Sequence, residues 1–346
     1  MRGMILGVLL GLFLAAGVCT LVYARRGAGA PVPDCGGRLR ELVIHYLPES
    51  DGITLRAYRE FLPALSDEVT VYVVVPDPGA FEQLLAALES VPPPSLVPIV
   101  VGHEMTCWSR DRWLAVGRTL LSPHAEAGAE IWPARAGDQL MAADLARALP
   151  GRYRAVRSDL LFEGGDFVCD EETVFVTPAV ADRNPQFDVR EVLRGLLHQP
   201  VVLLDRAPDH HAGMFMMALG GRRVAVGDPS LADRTEAAAM LEDVDFSAET
   251  QADFDDVARA CRAAGYEVSR IPCVPSRRSR AWLSPLNVIL DGDRVFLPVF
   301  RGAPLLNAGA TACWERFGFE VVPIDCTGAY PHGGTLRCLV SVLRRD

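Results

Sequence analysis

A stretch of eleven residues near the C-terminus joins a flexible turn to an apolar run, and it reads Pro331-His332-Gly333-Gly334-Thr335-Leu336-Arg337-Cys338-Leu339-Val340-Ser341. The glycine pair permits a positive φ angle and a close approach of the backbone. The cysteine that follows stands at the start of a β-rich segment, where a nucleophile can be held rigidly at the mouth of a pocket. Cys338 is therefore the first candidate catalytic residue, although a single cysteine is more often a small buried hydrophobic side chain.

Apolar residues upstream of this stretch alternate between strand and helix periodicity. Strands are predicted at residues 41–47, 69–75 and 97–101, and helices at residues 55–65 and 79–88. The other predicted elements are an extended pair at 112–121, a helix at 141–149, strands at 160–169 and 173–177, a helix at 189–197, strands at 201–204, 214–219 and 223–226, a helix at 253–264, a strand at 268–271, a hairpin at 288–298, a helix at 308–317 and strands at 320–324 and 339–343. This alternation predicts an α/β fold.

A unit of strand, hairpin, helix and strand (ββαβ) recurs roughly every 55–65 residues, without a period of identical residues. We therefore expect a closed ring of about five pseudo-symmetric units instead of a solenoid. In such a ring the inner strand ends converge on one central pocket. Site residues should then come from corresponding positions of different units, far apart in the sequence.

The composition bounds the possible partners. The chain has 346 residues, 50% of them hydrophobic, and a formal net charge of −10. A hydrophobic fraction of this size indicates a globular protein. The negative charge argues against a nucleic-acid partner and favours small cationic ligands.

The first 24 residues are expected to lie outside the folded domain. No charged residue occurs from position 3 to position 24, which is typical of a cleaved signal peptide or of a retained membrane anchor. Residues 25–37 are rich in Gly, Pro and Arg and are predicted to form a flexible linker, so the catalytic domain would span residues 38–346. This organisation predicts an extracytoplasmic protein, whether secreted, periplasmic or anchored.

Cysteines are scattered along the chain. There are nine of them and no CxxC pair, which argues against a zinc site. We expect at most one or two disulfides.

Four polar clusters interrupt the apolar rhythm. They are Cys107-Trp108-Ser109-Arg110-Asp111-Arg112-Trp113, Phe162-Glu163-Gly164-Gly165-Asp166-Phe167, Asp209-His210-His211-Ala212-Gly213 and residues 333–338. Together they resemble the guanidino-group-modifying enzymes of the pentein fold, especially the agmatine deiminase and bacterial peptidylarginine deiminase branch. The resemblance implies a pentein α/β-propeller of about five units around a central pocket.

The resemblance rests on an ordered set of motifs. Trp108-Ser109-Arg110-Asp111 is similar to the W-x-R-D of that branch, Glu163-Gly164-Gly165 to its E-G-G, Arg183-Asn184-Pro185 to its R-N-P, and Ser284-Pro285-Leu286-Asn287-Val288 to its S-Y-x-N-F. The glycine pair with Arg337 before Cys338 is more similar to arginine deiminases. The likeness runs from about residue 42 to residue 343 in the order of the family.

The family chemistry implies a role for each of these residues. A planar cationic guanidinium needs carboxylates that match its N–H donors and a nucleophile above its central carbon. The resemblance implies that Asp111 binds the guanidinium, with Trp108 and Asn287 as further substrate contacts. Cys338 would attack the carbon as a thiolate, and Glu163 would orient the catalytic histidine. No metal or organic cofactor is required.

Two adjacent residues are candidates for the histidine. Counted without gaps to the strand that follows, His211 fits the family pattern better than His210, and only one of them should face the pocket if they lie on a strand. Asp166 is expected to order the loop backbone.

The chain departs from the family pattern at one position. The deiminases carry an aspartate two residues after the histidine as a second guanidinium ligand, whereas Gly213 stands here, or Ala212 if His210 is the catalytic residue. The dimethylarginine hydrolases of the same fold also lack that aspartate. The missing carboxylate therefore makes agmatine itself a less suitable substrate.

Three functions are consistent with the sequence. The first is a hydrolase that releases ammonia or an amine from a guanidino substrate, such as a peptidyl-arginine, agmatine or a modified arginine. The second is an amidinotransferase, and the third is a membrane-tethered guanidinium-binding or scaffold protein without turnover. The remote part of the substrate is expected to contact loops within residues 122–139 and 231–250.

Overall fold

The computed structural model describes residues 29–88, 95–125 and 135–346. Its strands are β1 (Leu39–His45), β2 (Thr70–Val75), β3 (Ser95–Val100), β4 (Leu114–Val116), β5 (Thr119–Ser122), β6 (Arg154–Arg157), β7 (Phe167–Cys169), β8 (Val174–Val176), β9 (Val201–Leu203), β10 (Met216–Gly220), β11 (Arg223–Asp228), β12 (Glu267–Pro272), β13 (Ile289–Asp291), β14 (Arg294–Val299), β15 (Glu320–Asp325) and β16 (Val340–Arg345). Its α-helical segments are α1 (Asp51–Ala64), α2 (Pro78–Ala87), α3 (Arg135–Asp138), α4 (Met141–Ala148), α5 (Pro178–Arg183), α6 (Val189–Leu197), α7 (Ala212–Phe215), α8 (Ala248–Ala263), α9 (Pro304–Arg316) and α10 (Leu336–Leu339). The predicted α/β class is confirmed.

The described strands form five small sheets with one repeated pattern. In four of them an antiparallel hairpin is followed by a strand that pairs in parallel with the second hairpin strand: β4-β5-β6, β7-β8-β9, β10-β11-β12 and β13-β14-β15. One or two helices connect the two parallel strands, as a parallel crossover requires. The predicted ββαβ unit is therefore present four times.

The fifth sheet joins the two ends of the chain. β16 pairs antiparallel with β1, and β1 pairs in parallel with β2, which is followed by β3. The last strand thus takes the place of the first hairpin strand. This pairing makes the C-terminal segment with Cys338 a neighbour of the N-terminal strand.

Helix α1 packs against the turn that carries Cys338. Its buried face includes Ala57, Tyr58 and Phe61. The hydroxyl of Tyr58 lies 3.0 Å from the carbonyl of His45 and 3.3 Å from that of Leu339, within hydrogen-bond distance of both. One helix side chain therefore links β1 to the residue after Cys338.

Two predicted boundaries were wrong for local reasons. Helix α8 begins at residue 248 and not at 253, because Ser247 caps it by accepting the N–H of Thr250 at 3.3 Å. The strand predicted at residues 160–169 is reduced to β7, since Gly164–Asp166 form a 3₁₀ turn. Strand β6 was missed because its residues are largely exposed and polar.

The predicted membrane-directed segment, residues 1–24, lies outside the described residues. Within the described ranges, no helix combines the length and the apolar character that a membrane crossing requires. Eight cysteines belong to the described residues, and all eight are buried free thiols.

Residues 31–37 belong to the folded domain, so the prediction of a linker across 25–37 is wrong for them. The N–H of Val32 donates to the carbonyl of Ala115 at 2.8 Å, and Cys35 is fully buried. Asp34 is buried as well and accepts from Arg337 Nη2 at 2.7 Å. The sequence, rich in Gly and Pro, did not predict this packing. The segment is held by backbone hydrogen bonds and an ion pair, and neither interaction produces a periodic pattern of residues.

Chains that begin at Gly29 and at Arg38 should therefore differ in stability. Removal of residues 29–37 leaves Arg337 buried without Asp34, and losing one partner of a buried ion pair costs about 3–5 kcal/mol. We expect urea titrations to give a free energy of unfolding lower by at least about 3 kcal/mol for the chain that begins at Arg38. Equal values for the two chains would contradict this structural role.

Candidate active site

Four predicted residues from distant segments meet in one buried site. His211 Nε2 lies 3.1 Å from Glu163 Oε2, and His211 Nδ1 lies 3.6 Å from Asp111 Oδ1. Cys338 lies close enough to the imidazole to contribute to the raised pKa of His211. All four residues are at most 7% exposed. The site therefore places an imidazole between two carboxylates and next to a thiol.

Each site residue occupies the turn that precedes the first strand of its sheet. Asp111 comes before β4, Glu163 before β7, His211 before β10 and Cys338 before β16. Asn287 holds the corresponding place before β13. These five candidate residues therefore occupy corresponding positions of different units.

A hydrogen-bond contact connects the turn that carries Asp111 to the turn that carries Cys338. Asp111 lies in the 3₁₀ turn Ser109–Arg112. The hydroxyl of Ser109 lies 2.8 Å from the carbonyl of Leu339 and 3.2 Å from that of Val43, within hydrogen-bond distance of both. This contact fixes the carboxylate and the cysteine against the same central strand.

Asp166 orders the turn that carries Glu163, as the sequence predicted. Its carboxylate accepts the backbone N–H of Glu163 at 2.8 Å, the hydroxyl of Thr177 at 3.1 Å and Arg183 Nη1 at 2.7 Å. The amide of Asn184 exchanges hydrogen bonds with the backbone of Leu161 at 2.7 and 2.8 Å. Arg183 and Asn184 thus stabilise the Glu163 turn through Asp166 and through the backbone of Leu161.

Two glycines make room for the reactive side chains. A β-carbon added to Gly165 would lie 2.5 Å from His211 Nδ1 and 3.1 Å from Asp111 Oδ1. A β-carbon added to Gly334 would lie 2.6 Å from Trp108 Cζ3 and 3.0 Å from the β-carbon of Cys338. Both glycines are needed because the site residues approach the backbone too closely for a side chain.

The structure separates the two candidate histidines. His210 Nδ1 accepts the N–H of His211 at 2.8 Å, so its other ring nitrogen carries the proton and donates to the carbonyl of Arg280 at 3.1 Å. Burial lowers the pKa of His210 to about 3, and its ring packs on Trp282. Neither histidine lies on a strand, and both are buried. His210 supports the turn, whereas His211 faces the carboxylates and Cys338.

The charges around His211 favour its protonated form. Burial opposes a charge on the imidazole, but the carboxylates of Asp111 and Glu163 hold the pKa of His211 well above 6.5. Burial also opposes the charge of Glu163, yet the positive charges of His211 and of two arginines keep the pKa of Glu163 well below its usual range. The site therefore favours the imidazolium, which is the form that can donate a proton.

Arginines that were not predicted as site residues surround the two carboxylates. Arg135 Nη2 forms an ion pair with Glu163 and lies 3.8 Å from Asp111 Oδ2. Arg112 Nη2 lies 3.7 Å from the same oxygen, and Arg183 Nη2 lies 3.6 Å from Glu163 Oε2. The R-N-P motif was a signal for Arg183, but Arg135 comes from a segment predicted only as a loop. The carboxylate pair already binds one guanidinium, that of Arg135.

The same carboxylates and His211 could also be considered as metal ligands. The ligand atoms of Asp111, Glu163 and His211 lie within 4.8 Å of one another. The guanidinium of Arg135 already places a positive charge at Glu163 and 3.8 Å from Asp111 Oδ2, at the carboxylates that would hold an ion. The donor set fits an organic cation better than a metal ion.

Trp108 and Asn287 were both predicted to contact substrate. Trp108 is half-buried, and its ring borders Gly334 and Cys338, which suits a wall of the site. Asn287 is fully buried, and its Oδ1 accepts the hydroxyl of Thr335 at 2.8 Å and the N–H of Cys338 at 3.3 Å. The Asn287 amide is occupied by the protein itself, so we assign it a positioning role instead of a substrate contact.

The fold is shared with known enzymes. The chain has the fold of the pentein guanidino-group-modifying enzymes, so the fold expected from the sequence resemblance to their agmatine deiminase branch is confirmed. A scan against protein-family models finds no match. A search of curated proteins finds no similar sequence.

Particular solved structures share this fold. The agmatine deiminase of C. jejuni has a TM-score of 0.69 and 13% sequence identity, and the alignment covers 90% of this chain and 95% of that one. The agmatine deiminase of Enterococcus faecalis has a TM-score of 0.67 and 14% identity over 91% of this chain and 96% of that one. A dimethylarginine dimethylaminohydrolase has a TM-score of 0.51 and 16% identity over 88% and 99% of the two chains.

Replacement of Gly165 by alanine should disturb the site. Its β-carbon would collide with the His211 ring, and overpacking of this kind costs about 1–3 kcal/mol. Gly195→Ala in α6 is the matched control, because nothing lies within 4 Å of its added β-carbon. Alanine at an open helix position should instead raise stability by up to about 1 kcal/mol. Urea titrations that show no loss for Gly165→Ala relative to Gly195→Ala would contradict the close approach.

Asp111→Asn should lower the pKa of His211. The substitution keeps the size of the side chain and removes a negative charge 3.6 Å from the ring. Asp209→Asn, two residues before His211, is the control, because its side chain is 97% exposed. NMR titration of the His211 ring protons should show a lower midpoint for Asp111→Asn and an unchanged one for Asp209→Asn. The same midpoint in both variants would show that Asp111 does not stabilise the imidazolium.

Proposed function

We propose that this protein is a hydrolase that cleaves a C–N bond of a guanidino substrate through a covalent intermediate on Cys338. The proposal rests mainly on the His211 imidazole, which lies between the buried carboxylates of Asp111 and Glu163 and next to the thiol. Asp111 Oδ1 is buried and has no hydrogen-bond partner among the described residues. A buried carboxylate oxygen of this kind is suited to accept an N–H from a cationic ligand.

The proposed reaction begins with attack of the Cys338 thiolate on the central guanidino carbon. Protonated His211 donates its proton to the leaving nitrogen, the C–N bond breaks, and ammonia or an amine departs from a thiouronium. His211, now neutral, takes a proton from water while the water oxygen attacks the same carbon. The C–S bond then breaks while the hydroxyl of the tetrahedral intermediate loses its proton to solvent, which forms the carbonyl of the ureido product and restores the thiolate and the imidazolium.

The contact of Arg135 supports the choice of substrate class. Its guanidinium contacts Asp111 and Glu163, so these carboxylates match the donors of that group. A substrate guanidinium would bind the same two carboxylates and would replace Arg135 at Asp111 Oδ2 and Glu163 Oε1.

A cavity beside the segment that leads to Cys338 supports a substrate with a remote portion. This cavity of about 650 Å³ is lined by Met240, Leu241, Asp243, Ser279, Tyr330 and Pro331, among others. Tyr330 and Pro331 precede the glycine turn of Cys338, and residues 240–243 belong to the loop predicted to contact the substrate. We propose peptidyl-arginine or a modified arginine as substrate.

We also propose an extracytoplasmic location, for which the apolar residues 1–24 are the basis. We further propose that the five sheets close into a propeller.

A guanidinium-binding protein without turnover is the second candidate. The contact of Arg135 with both carboxylates favours it, because an internal guanidinium reduces the free negative charge of the site. Alkylation of Cys338 by chloroacetamidine distinguishes the two functions. A binding protein would bind guanidino compounds and leave Cys338 unmodified.

Release of ammonia and of ureido products from agmatine, arginine, methylated arginines and arginyl peptides tests the proposed reaction. Cys338→Ala should reduce turnover of the best substrate at least about a thousand-fold, as expected for loss of a nucleophile. Cys313→Ala in α9 is the control, since it removes another buried thiol and should retain activity. Activity retained by Cys338→Ala would refute the covalent mechanism.

A further inference from the structure

A buried ion cluster lies directly behind the candidate site. Asp34 Oδ1 accepts from Arg337 Nη2 at 2.7 Å and from Nε at 3.2 Å, and Arg110 Nη2 lies 3.7 Å from the same oxygen. Asp34, Arg110 and Arg337 are 9%, 6% and 2% exposed. Two guanidinium groups therefore share one carboxylate away from water. Both buried positive charges depend on that carboxylate for compensation, so its position constrains both arginines.

Members of this cluster are chain neighbours of site residues. Arg110 precedes Asp111, and Arg337 precedes Cys338. Both arginines donate to the carbonyl of Phe167, at 3.2 and 2.9 Å. The N–H of Cys169, in the strand that follows the Glu163 turn, donates to Asp34 Oδ2 at 2.9 Å. The cluster thus joins the segments that carry the Asp111 carboxylate, the Glu163 carboxylate and the thiol.

The cluster also accounts for Gly213. A β-carbon added there would collide with Arg337 Nη1. A side chain at this position would therefore point at Arg337 and not at the space beside Cys338. The family pattern implies a substrate-binding aspartate at this position, whereas a side chain at 213 of this chain would contact the ion cluster. Asp34, from the N-terminal segment, supplies the carboxylate that Arg337 needs.

We propose that Asp34 is a positioning residue for the reaction: through Arg337 and Arg110 it sets Cys338 relative to Asp111. This inference rests on the proposed function. It implies that the substrate guanidinium is held by the carboxylates of Asp111 and Glu163, without a contribution from position 213.

Asp34→Asn tests this role, with Asp291→Asn as the matched control. Asp291 is also buried, at 5% exposure, and its carboxylate accepts the N–H of Leu39 at 2.8 Å. Mass spectrometry would measure alkylation of Cys338 by chloroacetamidine, an amidinium that needs the carboxylates, and by iodoacetamide, which does not. The ratio of the two rates cancels any change in the reactivity of the thiol itself.

We expect the ratio to fall about ten-fold in Asp34→Asn and to stay unchanged in Asp291→Asn. In the double variant Asp34→Asn with Gly213→Asp, a carboxylate reaches Arg337 from the other side, and the ratio should recover in part. Gly213→Asp alone should not raise the ratio above that of the wild type. A wild-type ratio in Asp34→Asn, or a raised ratio in Gly213→Asp, would overturn the proposal.

Hydrogen exchange provides a readout that does not depend on the proposed chemistry. Peptides that cover residues 108–113 and 334–340 should exchange faster in Asp34→Asn and at the wild-type rate in Asp291→Asn. Unchanged exchange would refute the positioning role. If the wild-type protein reacts no faster with chloroacetamidine than with iodoacetamide, that result counts against the guanidinium site. The role of Asp34 would then be decided by hydrogen exchange only. If Asp34→Asn does not fold, the ratio in Gly213→Asp still tests the proposal. An unchanged ratio means that a carboxylate at 213 faces Arg337. A raised ratio means that it binds the amidinium, which would overturn the proposal.

Discussion

The candidate site depends on the compensation of charge around one buried imidazole. His211 can remain protonated away from water only because the carboxylates of Asp111 and Glu163 face its two ring nitrogens. Those carboxylates are buried in turn and need positive charge of their own, which Arg135 and Arg183 provide. Because each buried charge requires a partner, the arrangement is a network in which no member can be removed without exposing another to the desolvation cost.

The repeated unit of the fold gives this network its geometry. Each site residue lies in a short turn just before the first strand of its sheet. Gly165 and Gly334 let these turns approach within contact distance of the reactive side chains. A short turn that is held at both ends has little conformational freedom. The strands that follow the turns therefore determine where the thiol and the imidazole lie. Side-chain bonds between turns, such as that of Ser109 to Leu339, then fix one unit against the next.

Local sequence signals predicted the elements and the polar clusters, but not the charges that surround them. Helix α6 was predicted at its observed bounds because its apolar residues follow helical periodicity, and the Glu163, His211 and Cys338 turns were found because their polar residues interrupt apolar runs. Asp34 was assigned to a linker, since an ion pair with a residue about 300 positions away has no local signature. Arg135 had no signal either, because its partner Glu163 comes from the turn of another ββαβ unit.

The proposed function sets a further constraint on the substrate. An arginine side chain of the same protein competes for the carboxylates at a high effective concentration, so a free guanidinium binds there only if its other contacts make up the difference. A small guanidino compound has few such contacts. A larger substrate can add contacts in the cavity lined by Met240, Tyr330 and Pro331. The internal contact of Arg135 therefore favours a substrate whose recognition extends beyond its guanidinium, which is the property of an arginine within a peptide or of an otherwise elaborated arginine.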